Sequence, residues 1–213
     1  MKKLLHDLNH YCENLTSPPG GKILYDLERE TNLKTLAPQM LSGRIQGQLL
    51  SMISLMMKPQ SILEVGTFTG YAAHCLASGL SPDGRMVTIE ANPEMEWLIR
   101  KYLERADLNE RVELIMGNAL EVIPTLEGSF DLVFMDAGKR DYAQYFDLLI
   151  DRMLPGGIIL ADNTLWGGKV VDPKHQDVDT RIMRDFNQMI QDDERVENVI
   201  LPFRDGLTVI RKK

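Results

Sequence analysis

The stretch Glu64-Val65-Gly66-Thr67-Phe68-Thr69-Gly70 follows a short apolar run and leads into a helix-like segment. Gly66 and Gly70 allow the backbone to approach a ligand where a Cβ would block it. Their spacing is GxxxG, not the GxGxxG of a dinucleotide pyrophosphate site. An acid before such a turn is also a poor neighbour for phosphate, whereas Glu64 suits a ligand carrying an ammonium group. Glu90 closes the next apolar run, in "TIEANP", where it can accept hydrogen bonds from both hydroxyls of a ribose. A nucleoside that bears an amino acid and no phosphate meets both demands. S-adenosylmethionine is such a molecule.

A second set of groups lies further along. Asp136 ends the run "FDLVFMD", Lys139 follows three residues later, and Asp162-Asn163 end "PGGIILADN". Neighbouring strands lie about 4.8 Å apart, so side chains at two adjacent strand ends can surround one point. Two carboxylates and an amide, with no Cys or His nearby, suit Mg²⁺, Mn²⁺ or Ca²⁺ and not zinc. Lys139 beside such an ion is a candidate base, because nearby positive charge lowers the pKa of an ammonium. His6 and His10 share a helical face but lack a third ligand, and are expected at the surface.

These groups need a scaffold that brings strand ends together. Residues from Lys58 onward alternate β-type runs (Ser61–Val65, Arg85–Glu90, Val112–Met116, Phe130–Met135 and Gly157–Ala161) with helical patterns such as Met95, Leu98, Ile99, Tyr102, Leu103 and Ala106. Buried strands alternating with helices predict a parallel, doubly wound α/β sheet, with its ligand at the carboxyl ends where strand order reverses. After a helix carrying Val178, Ile182, Phe186 and Ile190, two runs, Val196–Leu201 and Leu207–Ile210, are separated only by "PFRDG". That is hairpin length, so the last strand should be antiparallel. The first 58 residues read as helices, broken at "SPPGG" and at Pro38. In the third of these helices Leu49, Leu50, Ile53, Met56 and Met57 are expected in the core. The division is residues 1–58 as a helical extension and 59–213 as a Rossmann-like core, together one domain.

Composition sets the outer limits. The chain has 213 residues, 44% hydrophobic and 26% charged, with formal charge −7. That balance argues against a protein built around phosphate backbones. No run is long enough to span a membrane, and no long apolar stretch follows the N-terminal lysines, so no secretory signal is expected. Cys12 and Cys75 show no paired spacing and read as free thiols of a reducing cytoplasm.

With "EVGTFTGY", "DAGKRDY" and "ADNTLWGGKV" in hand, the chain resembles the cation-dependent O-methyltransferases, the catechol and caffeoyl-coenzyme A type. The resemblance runs from "MLSGRIQGQLL" at Met40 to "DGLTVIRKK". It implies a seven-stranded class I methyltransferase sheet, a homodimer and a small phenolic acceptor. By motif it implies Asp136, Asp162 and Asn163 as cation ligands and Lys139 as base. Glu64, Gly66, Thr67, Phe68, Gly70 and Glu90 would line the methyl donor. Met40, Ser42, Ala72, Asn118, Ala119 and Asp136 fall at or beside donor positions, and Tyr142 and Trp166 are candidate substrate walls. The chain departs from the common pattern at Ala72, where a serine is frequent, and at Asn118 and Gln46, where acids are frequent. Gly138 leaves the metal loop with less side chain. Rival expectations are a tRNA hydroxyuridine O-methyltransferase, favoured by a basic rim of Lys139, Arg140, Lys169 and Lys174, and a non-catalytic adenosylmethionine-binding module, which an intact Lys139 and metal triad oppose. A nucleotide-dependent oxidoreductase is disfavoured by the missing phosphate cradle.

Overall fold

The computed structural model describes residues 2–213, apart from the side chains of Lys2, Lys3, Leu5 and His6. The expectation for His6 therefore lies outside the described residues, while His10 is exposed. Three helices, α1 (Lys2–Leu15), α2 (Gly21–Lys34) and α3 (Gly43–Met57), precede the first strand. Gly20 has φ 60° in the break between α1 and α2, a left-handed conformation that costs glycine little. Pro38 opens a single 3₁₀ turn before α3, where its fixed φ is favourable.

Strands β1 (Ser61–Val65), β2 (Arg85–Glu90), β3 (Val112–Met116), β4 (Phe130–Met135), β5 (Met153–Asp162), β6 (Val196–Leu201) and β7 (Leu207–Lys212) form one sheet. Helices α4 (Tyr71–Ala77), α5 (Glu96–Arg105), α6 (Ala119–Val122), α7 (Tyr142–Ile150) and α8 (Val178–Asp192) lie between them. The order is β3-β2-β1-β4-β5-β7-β6. β7 runs antiparallel to both β5 and β6, as its short hairpin requires. The chain reverses its direction across the sheet between β1 and β4, which opens a crevice at their carboxyl ends.

Alternation along the strands divides the core. Ile62, Leu132, Phe134 and Leu160 pack toward α2–α5, and Leu63, Val65, Val133, Met135 and Ile159 toward α6–α8. β5 begins earlier than its apolar run indicates. Pro155 and Gly156 sit where the pairing with β4 shifts register, and such an irregularity accommodates a proline inside a strand. One core expectation fails: Met56 is 72% exposed. The helix carrying Val178, Ile182, Phe186 and Ile190 forms as α8, which buries Met183, Phe186 and Ile190. Among the described residues, no helix is long and apolar enough to cross a membrane.

Candidate active site

A cleft of about 980 Å³ lies over the carboxyl ends of β1, β2, β4 and β5. Met40, Ser42, Gly66, Thr67, Phe68, Ala72, Glu90, Asn118, Ala119, Asp136, Lys139, Asp162, Asn163 and Trp166 all line it. A second hollow of about 990 Å³ sits at the β3 edge among Arg85, Arg111 and Glu113 and holds none of these residues.

The turn after β1 is fixed by its neighbours. The N–H groups of Gly66 and Thr67 both donate to Ile89 O, at 3.0 and 3.2 Å. At φ 97°, a Cβ on Gly66 would fall 2.2 Å from Asp136 O. The space Gly66 leaves is therefore taken by the β4 loop, which brings Asp136 against the turn. Glu90 accepts from Phe68 N–H at 2.6 Å and Asn92 N–H at 2.8 Å, one on each oxygen. Each oxygen keeps a lone pair for a further donor. Asn118 caps α6 by accepting from Leu120 N–H at 3.1 Å.

The acidic end is more tightly built. Asp136 and Asp162 directly follow Met135 and Ala161, which pair across β4 and β5. Lys139 Nζ donates to Asp136 Oδ1 at 2.9 Å and to the Tyr142 hydroxyl at 2.7 Å. Asp162 Oδ1 accepts from Asn163 N–H and Oδ2 from Gln46 Nε2, both at 2.8 Å. Burial, and then the neighbouring Asp136 carboxylate, push the Asp162 carboxyl above its usual range. Asn163 sits at φ 59°, a conformation asparagine tolerates better than most residues. Two mutually repelling carboxylates beside an amide suit a hard divalent cation, whose charge would relieve the repulsion. Among the described residues, no cluster of three or more His, Cys, Asp or Glu could hold a metal; this trio has only two such members.

Three expected residues lie elsewhere. Tyr142 is fully buried and is not a substrate wall. Its hydroxyl donates toward Met135 O at 2.8 Å and Asp162 O at 3.0 Å, which ties together the strand ends that carry both aspartates. Glu64 is fully buried behind the turn. It takes a hydrogen bond from Thr88 on one oxygen, with Oε1 unpartnered, and burial drives its carboxyl well above the usual range. Gly70, at φ 90°, forms the left-handed entry to α4 and does not line the cleft. Other lining residues carried little sequence signal. Arg204 and Asp205 read only as a hairpin turn, and Leu36, Ala37 and Gln39 only as a helix break. Cys12 and Cys75 are both free, and burial raises the Cys75 thiol.

A doubly wound seven-stranded sheet with an antiparallel β7, and a ligand cleft where the strand order reverses, defines a class I methyltransferase fold. Residues 15–213 match the O-methyltransferase family model. The chain is 35% identical to a caffeoyl-CoA O-methyltransferase of Petunia hybrida, over 81% of this chain and 76% of that protein. It is 33% identical to a catechol O-methyltransferase of Niastella koreensis, over 93% and 91%. The structure of a Bacillus cereus O-methyltransferase in complex with SAH superposes with a TM-score of 0.91, at 29% identity and across all of both chains. The chain belongs to the O-methyltransferase family, and is an enzyme of the S-adenosylmethionine-dependent class.

Proposed function

We propose that this enzyme moves the methyl group of S-adenosylmethionine to one of two adjacent oxygens of a small catechol-type or hydroxycinnamoyl acceptor, in a divalent-cation-dependent reaction. The carrying observation is the convergence of Asp136, Asp162, Asn163 and Lys139 in the cleft that Glu90 also lines. Asp136, Asp162 and Asn163 would hold Mg²⁺, Mn²⁺ or Ca²⁺, and an ion there lowers the pKa of a bound hydroxyl. Glu90 orients the donor through its ribose. Lys139 Nζ takes the acceptor's hydroxyl proton. The acceptor oxygen then forms a bond to the methyl carbon as the carbon–sulfur bond breaks, and the electron pair stays on sulfur. Trp166 walls the acceptor, and the enclosed cleft supplies position and electrostatics.

The tRNA reading is weaker: of the basic rim, Lys139 is paired with Asp136 and Arg140 with Asp179. We also propose a single-domain cytoplasmic enzyme that dimerises through an apolar stripe on α1. Leu4, Leu8, Tyr11 and Leu15 are 62%, 49%, 63% and 70% exposed there, and a helix of that length is marginal in water unless it is packed. Turnover of catechol-type acceptors should vanish in excess EDTA and return with Mg²⁺ or Mn²⁺. Full activity in chelator would reject the cation.

A further inference from the structure

Gln46 is a buried polar side chain to which the proposed chemistry gives no task. It is fully buried on α3, yet its Oε1 has no hydrogen-bond partner. Its Nε2 donates to Asp162 Oδ2 at 2.8 Å. Turned over, the amide would set Oε1 against the same carboxylate, with two acceptors opposed. Asp162 therefore dictates which way the amide faces. Leaving a buried acceptor unmet costs about 1–3 kcal/mol, a cost that goes with keeping the other end of the amide on Asp162.

The fold brings α3 close enough for that bond. Gln46, Gly47, Leu50, Ser51 and Ser54 make up the buried face of the helix. A Cβ on Gly47 would lie 2.7 Å from Tyr71 Cε1 and 3.0 Å from Cys75 Sγ, so glycine there lets α3 settle against α4. Ser54 Oγ donates to Leu76 O and fastens the other end of the same face. Gln46 itself does not line the cleft.

The two aspartates are thereby held by different means. Lys139, a cation, donates to Asp136 Oδ1 at 2.9 Å. Asp162 has Gln46 on one oxygen and Asn163 N–H on the other. A neutral amide fixes the direction of the Asp162 carboxylate without cancelling its charge, and each oxygen keeps a lone pair. One ammonium beside two carboxylates leaves negative charge for a divalent cation to meet. A second ammonium would remove it.

We propose that Gln46 is a positioning residue for the cation: it fixes Asp162 in a ligating orientation, and its neutrality preserves the charge that draws the ion in. The inference rests on the reading that Asp136, Asp162 and Asn163 hold a divalent cation.

The probe is Mn²⁺ alone, titrated into the metal-free protein by calorimetry, with S-adenosylhomocysteine affinity and thermal unfolding measured alongside. Gln46→Met keeps the length of the side chain and removes the donor. Hydrogen-bond partners of metal ligands contribute about 10–100-fold to metal affinity. Mn²⁺ should therefore bind at least about tenfold more weakly, with S-adenosylhomocysteine affinity kept. Gln46→Lys keeps a donor within reach and adds positive charge, so Mn²⁺ affinity should fall here through charge. Mn²⁺ affinity equal to the parent's in Gln46→Met overturns the orienting role, even where Tm moves, because a purely structural residue would move Tm alone. Equal affinity in Gln46→Lys overturns the role of neutrality. If the unaltered protein binds no Mn²⁺, the cation reading itself falls, and this inference with it.

Discussion

Tyr142→Phe isolates one hydroxyl. The ring, fully buried and packed edge-on against Phe186 at a centroid distance of 5.3 Å, keeps its shape, so no cavity opens. What is lost is the acceptor for Lys139 Nζ and the single proton shared by Met135 O and Asp162 O. Burial, and then Asp136 and Asp162, hold the phenol well above its ordinary pKa, so it acts as a neutral clamp and not as a base. Leaving buried acceptors unmet costs about 1–3 kcal/mol. A cost of about 2 kcal/mol lowers Tm by roughly 4–8 °C in a chain of this size. Lys139 retains Asp136 but loses the bond that fixes its second direction. Turnover should therefore fall about tenfold, or roughly 1.4 kcal/mol of barrier, while S-adenosylhomocysteine affinity stays near that of the parent. Differential scanning calorimetry and steady-state kinetics read both quantities. An unchanged Tm would show that the hydroxyl does not bridge β4 and β5, and an unchanged kcat would separate Lys139 from it.

Asp162→Asn should abolish turnover yet raise the Tm of the metal-free protein above neutral pH. The raised Asp162 pKa means ionisation destabilises the fold, a penalty that grows from the ordinary value of 3.8 through the folded value and is full above it; Gln46, whose Oε1 is unpartnered, can turn to accept from the new amide. A Tm no higher than the parent's at every pH would refute this. Glu90→Ala should weaken S-adenosylhomocysteine binding by about 1.5–3 kcal/mol, measured by calorimetry, and unchanged affinity would place the ribose elsewhere. Arg184 donates to the carbonyls of Lys169, Val170, Asp172 and His175, which fixes the segment after Trp166; Arg184→Gln should raise acceptor KM about tenfold, roughly 1.4 kcal/mol, with donor affinity kept. Catechols should exceed matched monophenols by about tenfold in kcat/KM, and equal turnover would count against a two-oxygen acceptor.

The parts legible in the sequence are those governed by local pattern. β2 and β4 are largely buried strands whose apolar runs end at or just before the chemistry-bearing residues, so Glu90 and Asp136 could be placed at strand ends by inspection, and Asp162 followed from the same logic despite the proline and glycines earlier in β5. Glu64 shows where that logic needs a second step. Alternation puts it on the same side as Ile62, toward the helices around Cys75, so a carboxylate one residue from the strand end is sealed behind the turn while Gly66 and Thr67 face the cleft. Tyr142 follows Lys139 by three residues at the start of α7, a spacing that brings the two side chains together, and depth in the fold decides that the tyrosine serves the lysine and not the substrate. The remaining partners are set by strand order alone. Gln46 on α3 reaches Asp162 at the end of β5 across 116 residues, and Arg204 reaches Leu41 across 163 because inserting β7 between β5 and β6 carries the hairpin to the mouth of α3. No local pattern encodes that juxtaposition, so the polar supports of this site become visible only once the last strand is in place.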